Sequence, residues 1–226
     1  MRFHRAPSTI QVTESTTRRG DMSLRSRIFA LTYDLSIAKV ERAGLRALRE
    51  SLLADVGGRV LEIGGGTGAN LPYYGSTVES LVVTEPEPPM LRRLERRVGE
   101  HPRPVTVLRA PAEDLPFEDD SFDAAVSTLV LCGVSDQPRA LRELRRVLRP
   151  GGRLIFIEHV RADEPRLARL QDRMNGLNRF MVGCECNRAT LDTIRAAGFG
   201  VETLKRTTLH KAPRFVQPLI AGVATT

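Results

Sequence analysis

The run Val60-Leu61-Glu62-Ile63-Gly64-Gly65-Gly66-Thr67-Gly68-Ala69-Asn70 constrains this 226-residue chain more than any other feature. An apolar stretch passes directly into a glycine-rich turn and then into residues able to start a helix. Glycines at 64, 66 and 68 permit positive φ, and they let the backbone close on a ligand where any Cβ would intrude. The next apolar run, Leu81-Val82-Val83-Thr84, ends in Glu85, a carboxylate at a strand tip able to accept from two ribose hydroxyls. Glycine turn and acidic strand tip together describe a nucleoside pocket. Two cofactors fit it at this stage, because Gly64 to Ala69 also reads as the GxGxxA form of the dinucleotide fingerprint.

The rest of the chain alternates in the same manner. Strands are expected at residues 59–63, 80–84, 105–109, 123–129, 153–158, 201–207 and 215–223, with helical patterns at 69–74, 89–100, 137–148, 165–181 and 189–197. Near-continuous apolar strands separated by helices imply βαβ units and a parallel sheet buried on both faces. The expected fold is therefore α/β, a doubly wound, mostly parallel seven-stranded sheet with ligand sites at the strand carboxyl ends. Residues 1–22 are polar and aperiodic and read as a disordered extension. Leu24, Ile28, Leu31, Leu35 and Ala38 then recur at helical steps, so residues 23–54 form an N-terminal helical cap and residues 55–226 the body, in which 161–188 is expected to cap the second substrate.

Composition removes several classes of function. The longest apolar run, Ala124 to Val134, is interrupted by Ser127, Thr128 and Gly133 and is too short to span a membrane. The N-terminus lacks an apolar h-region, so a cytoplasmic address is expected. Cys132, Cys184 and Cys186 are an odd number, expected to be reduced; Cys184 and Cys186 form only a CxC, so no metal site is expected. All but Lys39, Lys205 and Lys211 of the 34 basic residues are arginines, and they spread over the whole chain for a net charge of +7. With 5% aromatics and no Trp, a base-stacking surface has few candidates, so no nucleic-acid partner is expected.

Further segments tip the choice of cofactor: Glu62 before the loop, Ala112-Glu113-Asp114-Leu115-Pro116-Phe117 followed by Ser121-Phe122-Asp123, and Arg149-Pro150-Gly151-Gly152 before a strand. In this combination the chain resembles the class I S-adenosylmethionine-dependent methyltransferases over about residues 55 to 160. The resemblance implies S-adenosylmethionine as methyl donor. Gly64, Gly66 and Gly68 would turn around its amino-acid part, Glu62 would order that loop and the ammonium, and Glu85 would hold the ribose diol. Met90 would line the adenine face, and Ala112 and Glu113 would flank its edge. Relatives often carry an Asp before the Ala-Glu pair; Pro111 stands there, which passes the adenine amino contact to Glu113 or Asp114.

Methyl transfer needs an in-line nucleophile, and the protein contributes proximity, a shaped pocket and sometimes a base. The acceptor is expected over the ends of the fourth and fifth strands. Tyr33, Leu129, Cys132 and Cys184 are expected to line its pocket, and His159 is the candidate general base. Ser127 to Cys132, Glu158-His159-Val160 and Gly183-Cys184 with Arg188 resemble the branch containing the thiol S-methyltransferases and their bacterial relatives. That branch implies a small lipophilic acceptor of thiol, phenol or quinone type and leaves peripheral membrane contact open. A nicotinamide-dependent oxidoreductase and a noncatalytic S-adenosylmethionine-binding protein are the competing readings.

Overall fold

A computed structural model describes residues 37–226. The expected extension, the start of the amphipathic helix at Leu24 and the pocket candidate Tyr33 lie outside these residues. The strands are β1 (Gly58–Ile63), β2 (Val78–Thr84), β3 (Thr106–Leu108), β4 (Phe122–Thr128), β5 (Leu148–His159), β6 (Gly200–Thr208) and β7 (Pro218–Thr225). The helices are α1 (Arg46–Leu53), α2 (Pro88–Gly99), α3 (Gln137–Val147), α4 (Pro165–Val182) and α5 (Thr190–Ala196). They form one seven-stranded sheet of order β3-β2-β1-β4-β5-β7-β6. Strands β1 to β5 pair in parallel, and β7 runs antiparallel to both β5 and β6. The chain winds outward from β1 through β2 to β3 and returns to lay β4 on the other side of β1. A crevice therefore opens at the carboxyl ends of β1 and β4.

The apolar strands bury both faces. Leu61, Ile63, Ala125, Leu154 and Phe156 point into one layer with Leu141, Leu144 and Ile194 of α3 and α5. Val60, Val83, Ala124, Val126 and Ile155 point into the other with Leu53 and Leu94 of α1 and α2. Before α1, residues 37–45 are helical apart from Gly44, whose φ of 140° breaks the turn. Val40 and Leu45 from this stretch pack on Ile157, Leu219 and Ala221, with Leu129 at the margin.

Local chemistry sets the helix ends. Asp136 caps α3 by accepting from Arg139 N at 3.0 Å, and Glu164 caps α4 by accepting from Arg166 N at 2.8 Å and Leu167 N at 2.7 Å. Gly183, left-handed at φ 76°, ends α4. The Arg149-Pro150-Gly151-Gly152 segment stops α3 as expected and itself becomes the start of β5. One expected helix is absent: residues 69–74 form turns and a single 3-10 turn, Leu71–Tyr73. Pro72 lacks a donor there, and Asn70 and Tyr74 turn their side chains inward to Glu62.

Gly222 marks the tightest approach in the sheet, since a Cβ on it would clash with the Thr203 carbonyl oxygen and lie 3.1 Å from the Phe156 ring. Gly222→Ala is expected to pry β6 from β7 and cost about 2–3 kcal/mol, measured as a lowered urea midpoint with the slope unchanged.

Candidate functional site

Strand β1 delivers the glycine turn to the crevice. Gly64 and Gly66 both have φ 57° and Gly68 has φ 81°. Gly65 N donates to Thr84 O at 2.9 Å, which ties the turn to β2. These glycines are held to glycine for different reasons. A Cβ on Gly64 would meet the Val130 side chain at 2.6 Å, whereas a Cβ on Gly66 would enter open space, with only the Gly64 carbonyl oxygen, 4.0 Å away, near it. Gly66 thus faces an open cradle beside the main chain of the turn.

Beside that cradle stands Glu85, 5% exposed at the tip of β2. Its Oε2 accepts from Gly66 N at 2.8 Å and its Oε1 from Glu87 N at 2.9 Å. Burial pushes its carboxyl up to about 7 against the pull of these two bonds. Glu62 lies behind the turn, 3% exposed. Its Oε1 accepts from Asn70 Nδ2 at 3.0 Å and its Oε2 from Tyr74 Oη at 2.7 Å. Asn70 Oδ1 in turn accepts from Arg49 Nη1 at 2.6 Å, and Arg49 reaches Glu41 at 3.0 Å. Burial again dominates and lifts the Glu62 carboxyl to about 7, opposed by Tyr74, Arg49 and Asn70.

Across the crevice a third carboxylate, Glu158 on β5, holds the turn after β4. Its Oε1 accepts from Ser127 Oγ (2.6 Å), Val130 N (3.1 Å) and Leu131 N (3.1 Å), and its Oε2 from Cys132 N (3.2 Å). Leu129 at the head of this turn has φ 59°, an unfavourable conformation for a branched side chain that its surroundings enforce. Arg188 and Gln137 close the turn from outside, donating to Leu131 O at 2.9 Å each.

The sequence candidates divide as follows. Glu62, Gly64, Gly66, Gly68 and Glu85 converge on the crevice, and Met90, in the first turn of α2, and Ala112 are buried. Glu113 accepts from Ser135 N at 2.7 Å and Asp136 N at 3.3 Å, so its carboxylate is engaged by the residues that start α3. Leu115 is buried and Phe117 packs edge-on against Phe122, their centroids 5.0 Å apart. Cys132 and Cys184 meet thiol to thiol, and Cys184 together with burial pushes the Cys132 thiol well up. His159 is 8% exposed, its buried Nδ1 has no hydrogen-bond partner among the described residues, and burial draws its imidazole down to about 4. Among the described residues no cluster of three or more His, Cys, Asp or Glu side chains could hold a metal. Sequence reasoning missed Arg49, Asn70, Tyr74 and the loop-holding role of Glu158. Asn70 stood inside the quoted motif, but Arg49 looked like one more solvated arginine.

Two outcomes follow for the ligand-free protein. Glu62 and Glu85 bind protons more tightly folded than unfolded, so their contribution is complete below about pH 4.5 and is lost as pH rises through about 7. His159, shifted the other way, loses its contribution only below about pH 6.5. Stability is therefore expected to fall by about 1 kcal/mol per carboxyl between about pH 6.5 and 8, and Glu85→Gln to flatten that slope in a melting series.

Comparison with known proteins fits this geometry. Residues 61–156 match a family model described as a methyltransferase domain. The chain is 43% identical over 106 residues to human thiol S-methyltransferase TMT1B, covering 45% of this chain and 42% of that one. It is 35% identical over 141 residues to phosphatidylethanolamine N-methyltransferase of Cereibacter sphaeroides, covering 62% and 68%. A third relative, the ubiquinone/menaquinone C-methyltransferase UbiE of Hahella chejuensis, is 33% identical, with 59% and 52% covered. The matched segment thus spans about half the length of the human and Hahella relatives. A solved SAM-dependent methyltransferase from Thermotoga maritima superposes with a TM-score of 0.65 at 28% identity, covering 89% of this chain and 98% of that one. The chain belongs to the class I S-adenosylmethionine-dependent methyltransferases, whose methyl donor is S-adenosylmethionine.

Proposed function

We propose that this protein transfers a methyl group from S-adenosylmethionine to a small lipophilic acceptor of thiol, phenol or quinone type. The observation that carries the reading is the open space over Gly66 beside the Glu85 carboxylate, which accepts from the Gly66 amide. The residues present fit the cofactor. Gly64, Gly66 and Gly68 would hold its amino-acid part, with Glu62 fixing the turn from behind through Asn70. Glu85 would take the ribose hydroxyls on lone pairs left over from its two main-chain bonds. Met90, Ala112 and Glu113 would serve the adenine side. When bound, the cofactor supplies a methyl group on a sulfonium, ready for displacement.

The chain's own part is placement. The turn after β4, fixed by Glu158, and the stretch from residue 37 to α1, resting against Leu129, border the region in which an acceptor would lie. Proximity in such a pocket contributes most of the acceleration for a displacement of this kind. We assign no proton transfer to His159: an imidazole held down to about 4 by burial is a weak base for a thiol or phenol. A thiol acceptor ionises near neutral pH with little help, its ordinary pKa being about 8.5. The names of the thiol and quinone relatives support that acceptor range.

Calorimetric titration with S-adenosylhomocysteine tests the reading. Micromolar binding is expected, at least about tenfold weaker in Glu85→Ala. Gly66→Ala should lose the ligand while costing only about 1 kcal/mol of stability, since the position is roomy and only its positive φ resists. Affinity should rise from about pH 6 to 8 as Glu85 ionises. Product formation with thiol, phenol and quinone acceptors then identifies the second substrate. Absence of binding by folded protein, or binding of NADH instead, overturns the proposal.

A further inference from the structure

Helix α4 buries polar side chains and exposes aliphatic ones. Its buried positions include Gln171 and Asn178. Gln171 Nε2 donates to Val160 O at 2.9 Å and Cys186 O at 2.8 Å, and its Oε1 accepts from Ala162 N at 2.8 Å. Asn178 Nδ2 donates to Cys184 O at 2.7 Å. The amides therefore anchor the helix inward beside half-buried Leu167 and Met174, while four further aliphatic side chains face out: Leu170 is 37% exposed, Leu177 51%, Met181 60% and Val182 45%. A soluble helix ordinarily has the reverse arrangement.

The outward face is also cationic. Arg166, Leu170, Arg173, Leu177 and Met181 follow one another at three- and four-residue steps and so share a stripe, with Arg169 at its flank. The acids nearby are already engaged. Asp172 binds Arg161 and Asn187, Glu164 caps its own helix, Asp163 pairs with Arg206, and Glu185 pairs with Arg179 and Arg188. Among the described residues no acid pairs with Arg166, Arg169 or Arg173, and Arg214, on the turn packed against α4, adds the same sign.

We propose that this face of α4 docks on the anionic headgroups of a lipid bilayer, with the helix lying in the interface plane. Interleaved aliphatic and arginine side chains match that boundary, where Leu and Met enter the acyl edge while arginine stems snorkel to the phosphates. A nucleic acid would leave the aliphatic groups wet. A protein partner would have to place an acid opposite each arginine and a socket opposite each aliphatic residue, whereas a fluid anionic surface meets both demands without fixed geometry. No helix among the described residues is long and apolar enough to cross a membrane, which fits a helix that lies on one. Resting on the methyl-transfer reading, the placement also has a use. The C-terminal end of α4 abuts the turn after β4, with Glu185 N donating to Cys132 O at 2.8 Å, so a lipophilic acceptor would leave the bilayer beside its pocket.

Co-sedimentation of the full chain with vesicles tests this, using phosphatidylcholine alone against phosphatidylcholine mixed with phosphatidylglycerol. Binding is expected only with phosphatidylglycerol and should fade at high salt. The pair Arg169→Gln and Arg173→Gln should weaken it about thirtyfold, and Leu177→Ser with Met181→Ser at least about tenfold. All these side chains are exposed, and circular dichroism melts should match the wild type. Binding indifferent to these changes, as when residues 1–36 carry it, overturns the proposal; so does absence of binding, or a dimer in light scattering that Leu177→Ser dissociates. Titration of the same variants with S-adenosylhomocysteine, expected unchanged, reports on the cofactor reading separately.

Discussion

Everything at the site leans on one buried carboxylate. Glu62 leaves water at the end of β1, and its charge would be intolerable there without donors. Asn70 and Tyr74 supply them, and Asn70 does so while held by Arg49, which is itself held by Glu41. This single chain of bonds joins the segment before α1, helix α1, the end of the glycine turn and the first strand. A network of this kind stiffens all its members together, and removing one leaves the others buried and unsatisfied. The glycine turn thus owes its shape less to glycine flexibility than to the polar anchor behind it.

The same device appears twice more. Glu85 collects the amides of Gly66 and Glu87, and Glu158 collects three successive amides at Val130, Leu131 and Cys132. Three strand ends are each finished by an acid that accepts from the following loop, Glu62 from side chains and Glu85 and Glu158 from main chain. Loops at the mouth of a sheet are ordinarily its least fixed part, yet here they are bonded back to the rigid core. Of the three acids, Glu85 sits beside the open cradle, the place where a ligand's hydroxyls would find remaining lone pairs.

The sheet was readable because its strands are apolar throughout and its turns carry Gly and Pro; the strand segments expected from sequence all reappear, with ends shifted by a few residues. The glycine turn, Glu62 and Glu85 were readable because their types and spacing are dictated by what the turn must do. Arg49 and Tyr74 were not, since their roles depend on meeting Glu62 from distant positions, and nothing local distinguishes Arg49 from the many arginines that face solvent. The 69–74 segment was misread as a helix because its apolar spacing carries no mark of the inward pull on Asn70 and Tyr74. His159 occupies the expected strand end, but burial there takes away its basicity, and nothing in the local sequence announces that burial.

The place of β7 between β5 and β6 has a consequence for the order of assembly. Among the described residues strand β6 has no neighbour but β7, and β7 is reached only after β6 has been made. When β6 emerges it has nothing to pair with, because its place beside β5 is separated by one strand not yet formed. The half of the sheet from β3 to β5 can consolidate on nearby partners, whereas the β6–β7 pair adds as a hairpin in a later step. Since α4 and α5 lie between β5 and β6 in the chain, the acceptor side would settle after the nucleoside side, and a slow phase of folding would be felt at one half of the crevice alone.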